Sequence, residues 1–274
     1  MPDIQSVFGK IKVFEDFNGI AAAATISDAT AGTRYNDLCL VAISGDVAMD
    51  HTVDESGGVV SFSGAGAAAD GIAIVSSPLQ PSTNGTIVFE SRFKMGSATD
   101  LRVFMGWQET VSLSETVNPF TLSTTTLTAN NGGQVVGFYA DSGATTDDFR
   151  FMASSDGTAS TTGAVTVGPA VKNLTGQSTT TLGALGVRSG VTLTADSWYI
   201  SRVEIDPDGT ARGYFGHTTM ANQRGLTLVA TLAAGVIDRT ALYLPHLHLA
   251  ANSTGDPLAE VDYCGFTGNR DWAA

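Results

Sequence analysis

Apolar and polar residues alternate along many short runs of this chain, and this period-two pattern predicts β-strands. In residues 86–95, Ile87 and Phe89 alternate with Glu90 and Arg92, so the run predicts a strand with one buried face and one wet face. No amphipathic helix longer than a turn or two is evident, and the chain is therefore predicted to be all-β. The other predicted strands lie at 13–17, 57–64, 101–108, 134–141, 148–154, 184–188, 242–250 and 260–266.

A hairpin around Pro207 has a register that follows from its turn. Pro207, Asp208 and Gly209 suit a three-residue loop, because proline presets a type I turn and glycine accepts the left-handed conformation. That loop places Glu204 opposite Arg212, so that opposite charges meet across the strands and the apolar residues share the other face. A two-residue loop would mix the faces, which favours the three-residue register.

Neighbouring strands predict further hairpins, and the segments between them predict loops. The runs 86–95 and 101–108 are separated by a short turn, which predicts one hairpin, and 134–141 with 148–154 predicts another. Two stretches rich in Ser, Thr and Gly are predicted as long surface loops, at 121–133 and 157–181.

Length and composition are typical of one large antiparallel β-sandwich, taken as a single domain 1–274. The chain has 274 residues, 31 of them glycine, and only 15% are charged, as expected of many short strands joined by turns. Residues 26–55 are less periodic and are predicted as an arm or an irregular edge segment. Residues 1–14 are predicted as an N-terminal arm.

Charge and hydropathy exclude several classes of partner. The net charge of −13 argues against a nucleic-acid partner, because phosphate binding needs clustered Lys and Arg. No run approaches the ~20 apolar residues that span a bilayer, which argues against a membrane partner. The first ten residues lack the basic start and apolar run of an export signal. Two cysteines, Cys39 and Cys264, are predicted to be free thiols.

Several short motifs around the hairpin occur together in a known fold. Trp198 opens the first strand, an Ile-Asp pair leads into the Asp-Gly turn, and a Tyr-Phe pair lies on the return strand. This order resembles that of concanavalin A-like (laminin-G-like) jelly rolls, and over residues 11–272 it is similar to virion structural proteins of tailed bacteriophages. The motifs that complete the pattern are the runs 13–17, 57–64, 242–250 and 260–266.

The resemblance implies a concanavalin A-like jelly roll with long loops and a non-enzymatic function as a capsid decoration or cement protein. The implied partners are the major capsid protein, other virion proteins and further copies of the chain in a symmetric trimer. The implied location is the virion, assembled in the host cytoplasm. Two alternatives stay open: a carbohydrate-binding (lectin-like) module on a virion or tail that binds host surface glycans, and a glycoside hydrolase.

The acidic end of the hairpin strand is the one candidate for hydrolysis. Glu204 and Asp206 lie two residues apart and face the same side, as the carboxylates of retaining glycosidases do. Asp208, however, falls in the turn, and Arg212 is placed to neutralise Glu204. A cross-strand ion pair with a turn cap is therefore favoured, and no catalytic residue is assigned.

Metal binding has weak candidates, and no cofactor is predicted. His246 and His248 share one face of a strand, a spacing that can hold a transition metal if Asp262 or His217 approaches as a third ligand. Calcium is a further candidate at loop tips, where oxygen ligands occur at 147–148, at 156–157 and between Asn252 and Asp256. Turns that satisfy their own backbone are the favoured explanation of these residues.

The three tryptophans differ in their predicted roles. Trp107 and Trp198 fall on regular strands and are predicted to lie in the core. Trp272 follows an Asn-Arg-Asp sequence near the end of the chain, and it is a candidate contact to a glycan or a partner.

Overall fold

The computed structural model describes residues 10–18, 24–27, 32–43, 45–52, 58–64, 71–96, 101–109, 120–123, 126–129, 134–142, 148–154, 187–217, 226–235, 237–251 and 258–269. Within these residues the chain forms nineteen strands and one four-residue helix. The helix is α1 (Pro81–Asn84), and the strands are β1 (Lys10–Glu15), β2 (Ala24–Ile26), β3 (Thr33–Tyr35), β4 (Leu38–Ile43), β5 (Val47–His51), β6 (Val60–Gly64), β7 (Gly71–Val75), β8 (Ile87–Met95), β9 (Leu101–Glu109), β10 (Phe120–Ser123), β11 (Thr126–Ala129), β12 (Val135–Asp141), β13 (Asp148–Ser154), β14 (Val187–Thr192), β15 (Ser197–Ile205), β16 (Ala211–His217), β17 (Thr227–Leu232), β18 (Tyr243–Ala251) and β19 (Leu258–Asn269).

Two large antiparallel sheets contain most of these strands. Sheet A follows the order β17-β16-β15-β8-β19-β6-β5-β2, and β1 pairs with β19 beside this path. Sheet B follows the order β14-β13-β12-β9-β18-β7-β4-β3, and β10 pairs with β11 separately. The all-β, antiparallel sandwich predicted from the sequence is therefore confirmed. No helix of the described part of the chain is long and apolar enough to cross a membrane.

The hairpin of β15 and β16 has the predicted register. Glu204 lies opposite Arg212. The Asp206 N–H donates to the Thr210 carbonyl oxygen at 2.8 Å, and Gly209 adopts a φ of +86°. The pattern of apolar residues and the turn therefore specify the same pairing, as a half-buried sheet requires. The buried face of the hairpin consists of Tyr199, Val203, Ile205, Ala211 and Phe215.

The predicted hairpin of 86–95 with 101–108 is wrong. The strands exist as β8 and β9, but β8 pairs with β15 and β19 in sheet A, whereas β9 pairs with β12 and β18 in sheet B. The apolar faces of β8 and β9 therefore face each other across the core, and the two strands are not hydrogen-bonded neighbours. Alternation predicts which face of a strand is buried but not which strand lies beside it.

The amino-terminal part of the chain contributes more to the sandwich than predicted. The predicted arm 1–14 is contradicted at residues 10–14, because Lys10–Glu15 pairs with β19; residues 1–9 lie outside the described residues. The segment 26–55 includes β3, β4 and β5, with β3 at the edge of sheet B. Its apolar residues Leu40, Val47 and Met49 are buried in the core, which explains why this segment is ordered as sheet.

The predicted loops are only partly described. In 121–133 the structure has the short hairpin of β10 and β11, so this stretch is not a continuous loop. The loop predicted at 157–181 lies outside the described residues. The strand predicted at 184–188 is observed as β14, which begins at Val187 and pairs with β13.

An aromatic cluster joins the two sheets in the core. The Phe149 ring of sheet B has its centroid 4.6 Å from that of Phe215 and 4.8 Å from that of Tyr199, both in sheet A. Phe138 lies 5.0 Å from Phe215, and Phe93 lies 6.2 Å from Phe149. All five side chains are buried, and tilted rings at these separations attract one another beyond their burial.

Trp107 adds a polar contact between the sheets. Its side chain is completely buried, as predicted, and its Nε1–H donates to the Val203 carbonyl oxygen at 3.1 Å. Trp107 lies on β9 of sheet B, whereas Val203 lies on β15 of sheet A. The indole therefore fixes the two sheets relative to each other while its polar atom stays satisfied.

The turn glycine allows a matched test of the hairpin. A Cβ at Gly209 would lie 2.6 Å from the Ile237 carbonyl oxygen, whereas a Cβ at Gly190, which also has a positive φ, meets nothing within 4 Å. Both alanine variants incur the left-handed penalty of about 1–2 kcal/mol. We expect Gly209→Ala to lower the free energy of unfolding by about 1–3 kcal/mol more than Gly190→Ala does, since backbone atoms must move. Equal losses in denaturant titrations would show that the turn does not pack against Ile237.

Candidate functional site

The carboxylates that were candidates for hydrolysis form ion pairs. Arg212 contacts Glu204 at 3.5 Å and also Asp206, and Arg202 contacts Glu204 at 2.6 Å. Asp208 accepts a hydrogen bond from the Thr210 backbone N–H at 2.8 Å, so it caps the turn. That hydrogen bond is also the main reason why the pKa of Asp208 lies below its ordinary value. These ion pairs and the turn cap therefore stabilise the hairpin.

The Glu204–Arg212 pair is less exposed than a surface pair. The Glu204 side chain is 11% exposed and the Arg212 side chain 32% exposed. A second cation, Arg202, also contacts Glu204, and it reaches Glu90 at 3.8 Å. The predicted pair is therefore one link in a network of charges, and removing Arg212 still leaves Glu204 with a cationic partner.

The outer face of sheet A continues this network. Arg92 pairs with Asp262, and Lys94 pairs with Glu260 at 2.7 Å. The Arg92 guanidinium carbon lies 4.2 Å from the centre of the Trp198 ring. Trp198 is buried, as predicted for a core residue, but it lies on this outer face, where the charged groups of Arg92 and Lys94 lie over its ring. We call this surface the charged face.

The histidine candidates lie on sheet B, away from their predicted third ligands. His246 and His248 are on β18, and both side chains are buried. His217 and Asp262 belong to β16 and β19 of sheet A, so the predicted third ligand is wrong. Among the described residues, no group of three or more His, Cys, Asp or Glu side chains is arranged to hold a metal ion.

Burial keeps the two imidazoles neutral. Desolvation lowers the pKa of His246 to about 3 and lowers that of His248 well below its ordinary value. The neighbouring His246 and Arg102 add to the effect on His248. A neutral imidazole has a free lone pair, which is the form that binds metals.

The other predicted binding residues have little or no described structure. Asp148 accepts a hydrogen bond from the Thr192 hydroxyl at 3.1 Å, which connects β13 to β14. Asp256 and Trp272 lie outside the described residues, as do 147, 156–157 and 252–255.

A concave cleft lies at the edge of sheet B. We call it the edge cleft; its volume is about 470 Å³. Its lining residues come from strands β3, β4, β7 and β18, from the β3–β4 turn and from the segment after β7. The residues that line it are Arg34, Asn36, Asp37, Leu38, Cys39, Val75, Ser76, Ser77, Pro78 and Leu244.

Specific hydrogen bonds hold the two sides of the edge cleft. The Ser76 hydroxyl donates to the Asp37 carbonyl oxygen at 2.6 Å, which connects the segment after β7 to the turn. Asn36 adopts a φ of +52°, a conformation that Asn tolerates in tight turns. Its amide donates to Glu15 Oε2 at 2.6 Å, so β1 anchors the turn. The edge cleft is therefore a built part of the sandwich.

Two charged groups in the edge cleft have unused binding capacity. The Oδ2 atom of Asp37 is buried and has no hydrogen-bond partner in the part of the chain that the structure describes. Arg34 is exposed and makes no ion pair with any described residue. Because an unpaired buried carboxylate oxygen costs free energy, a ligand that donates a hydrogen bond to Asp37 would be stabilised.

Sequence reasoning missed the edge cleft because five of the ten residues that line it occur in the segment 26–55, whose alternation is weak, and the other five are distant in sequence. A usable signal is present: Tyr35-Asn36-Asp37 is a turn-forming sequence between the apolar run of β4 and a glycine at 32. The turn predicts where polar side chains cluster. It does not predict that the turn is bound to Ser76, a residue distant in sequence.

Comparisons with known proteins identify the fold and no family. No family model matches the chain, and no curated protein sequence matches it. A protein of unknown function from Shewanella oneidensis MR-1 has 12% sequence identity and a TM-score of 0.52, over 97% of this chain and 89% of that one. Peanut lectin is a further match, with 10% identity and a TM-score of 0.49, over 91% of this chain and 98% of the lectin. A β-1,3-glucanase from Mycobacterium marinum also matches, with 10% identity and a TM-score of 0.46, over 92% of this chain and 97% of the glucanase.

The fold is a concanavalin A-like sandwich. At 12% identity the Shewanella structure shares the fold alone, and it carries no information on activity. The two-sheet antiparallel topology agrees with the jelly roll that the sequence resemblance implied. Functional conclusions must therefore come from the residues of this chain.

The two cysteines are free and differ in environment, which provides a test of the edge cleft. Burial raises the pKa of Cys264 to about 12, and burial, partly offset by Arg34, raises the pKa of half-buried Cys39. We expect iodoacetamide at pH 8 to modify Cys39 first and Cys264 only after unfolding. The Cys39 rate should rise about tenfold per pH unit, since the thiolate reacts. A Cys39→Ser control should remain unlabelled when folded; equal labelling of both thiols in the intact chain would contradict this geometry.

Proposed function

We propose that this chain is a non-enzymatic, lectin-like carbohydrate-binding protein and that the edge cleft is its binding site. The observation that carries the proposal is the buried Asp37 Oδ2 atom, which has no hydrogen-bond donor among the described residues, in a cleft that also contains Arg34, a cation without an ion pair to any described residue. A ligand with hydroxyl groups supplies donors for the carboxylate and acceptors for the guanidinium at the same time.

The composition of the edge cleft suits a sugar. Ser76 and Ser77 add hydroxyl groups beside Asp37, whereas Val75 and Leu244 provide an apolar surface for the C–H face of a sugar ring. A volume of about 470 Å³ lies within the range of small-ligand sites, roughly 300–1,000 Å³. In such sites, a small number of convergent polar groups beside an apolar surface orients the ligand.

Binding is favoured over hydrolysis by the number of carboxyl groups. Glycosidases use two, about 5–5.5 Å apart for retention and about 6.5–9.5 Å apart for inversion. Among the described residues that line the edge cleft, Asp37 alone carries a carboxyl group. The candidate pair Glu204 and Asp206 belongs to sheet A and shares the cation Arg212. These features support recognition without turnover.

The bacteriophage particle stays a prediction of the sequence resemblance. Decoration of a capsid, contacts with the major capsid protein and a trimeric assembly have no counterpart among the described contacts. Under our proposal the chain would act on a virion or tail as the module that binds host surface glycans. Mass spectrometry of purified particles should then detect the chain, and its absence would remove the virion from the proposal without affecting glycan binding.

The carboxylate of Asp37 provides the direct test of carbohydrate binding. Glycan-array screening, followed by calorimetry on the best ligand, should show saturable binding by the intact chain. Asp37→Asn should weaken it about 10- to 100-fold, because a hydrogen bond to a charged group contributes about 1.5–3 kcal/mol. The bound glycan should also slow the alkylation of Cys39, which lines the same cleft.

The matched control is Asp50→Asn, because Asp50 is an exposed aspartate on β5 of sheet A. Its affinity should equal that of the unchanged chain. Two results would overturn the proposal: no glycan bound by the intact chain, or equal affinities for Asp37→Asn and the control.

A further inference from the structure

The edge cleft has a cation at its rim. Of the described residues that line it, Arg34 alone carries a positive charge, and its side chain is exposed. Backbone pairing places Arg34 opposite Cys39, another lining residue. Burial raises the pKa of Cys39, and the positive charge of Arg34 partly offsets that effect. The guanidinium is therefore close enough to the cleft to act on a group inside it.

Arg34 and Asp37 present opposite chemistry at different depths. The Oδ2 atom of Asp37 is buried, whereas Arg34 is exposed. A carboxylate accepts hydrogen bonds and a guanidinium donates them. No ion pair joins these two residues, so each can bind a different group of one ligand. The edge cleft thus selects a ligand with a donor on its inner side and an acceptor on its outer side.

The polar neighbours of the two charged groups already donate within the chain. The Ser76 hydroxyl donates to the Asp37 carbonyl oxygen at 2.6 Å, and the Asn36 amide donates to Glu15 Oε2 at 2.6 Å. The Arg34 guanidinium is therefore the main donor that the rim offers to an acceptor on a ligand.

The geometry of a guanidinium decides which acceptor fits best. Its planar fork of N–H groups matches a carboxylate, to which it can donate two parallel hydrogen bonds. Hydrogen bonds between charged groups are roughly twice as strong as those between neutral groups. A sugar hydroxyl uses this capacity only in part, whereas a sugar carboxylate uses it fully.

We infer, on the basis of the proposed function, that the edge cleft binds an acidic sugar. The carboxylate of the sugar binds the Arg34 guanidinium, and one of its hydroxyl groups donates to Asp37 Oδ2. Asp37 then contributes to the binding of neutral and acidic sugars alike, and Arg34 determines the preference for the acidic ones.

The test compares sugars that differ in one functional group. Neutral oligosaccharides of glucose, galactose and mannose are paired with the same oligosaccharides oxidised at C6 to carboxylates, and calorimetry is performed at one fixed salt concentration. We expect the acidic member of the best pair to bind at least about tenfold more tightly. Its methyl ester should bind like the neutral member, because esterification removes the charge. This comparison uses the unchanged chain and is independent of how variants fold.

Variants then assign the preference to one side chain. Arg34→Gln should abolish the preference and leave the affinity for the neutral member unchanged. Arg34→Lys should keep part of it, because the charge remains while the fork is lost. Asp37→Asn should weaken the binding of both members and leave their ratio unchanged. The matched control is Lys12→Gln, which removes an exposed cation on β1 of sheet A and should keep the full preference.

The possible failures of the acidic sugar and of the proposed function are distinguishable. Equal affinities for both members of every pair, each weakened by Asp37→Asn, would overturn the acidic sugar and leave carbohydrate binding intact. Binding of other glycans but of no oxidised oligosaccharide would do the same. A preference that survives Arg34→Gln, or tighter binding of 6-sulfated oligosaccharides than of carboxylates, would also overturn it. If the chain binds no glycan at all, the proposed function fails and the acidic sugar fails with it.

Discussion

The packing of aromatic rings between the two sheets is the interaction on which the rest of this structure depends. The ring centroids lie 4.6–5.0 Å apart in three pairs: Phe149 with Phe215, Phe149 with Tyr199, and Phe138 with Phe215. In each pair one ring comes from sheet B and the other from sheet A. Each sheet alone would expose its apolar face, so neither is stable without the other. The polar contact from Trp107 to β15 then limits how the sheets slide.

The outer faces of the two sheets differ in how their polar groups are paired. On the charged face of sheet A, cations and carboxylates pair with each other and cover Trp198, so this surface is electrostatically self-contained. The outer face of sheet B instead carries buried atoms, such as His246 Nε2, that have no hydrogen-bond partner among the described residues, and its edge holds the cleft that contains Asp37 and Arg34. The proposed carbohydrate site lies at this edge.

The edge cleft and the buried histidines His246 and His248 are neighbours in the sheet but different in chemistry. Val75 lines the edge cleft and pairs directly with His246 on β18. The edge cleft is open and contains charged groups, which suits an exchanging polar ligand. His246 and His248 are buried and neutral, because burial lowers the pKa of both imidazoles.

What the sequence by itself determined is local: alternation predicts the buried face of β8 and β9, and the Pro-Asp-Gly turn predicts that Glu204 meets Arg212. These features follow from residues adjacent along the chain or across one tight turn. The tertiary structure alone decided that β8 and β9 belong to different sheets and that Trp198 lies outside the core. It also decided that Asp37 lies beside Ser76, and that His246 meets Gln108 rather than Asp262. The physical reason is that strand partners and burial depend on which distant segments meet, and a period-two pattern contains no information about that choice.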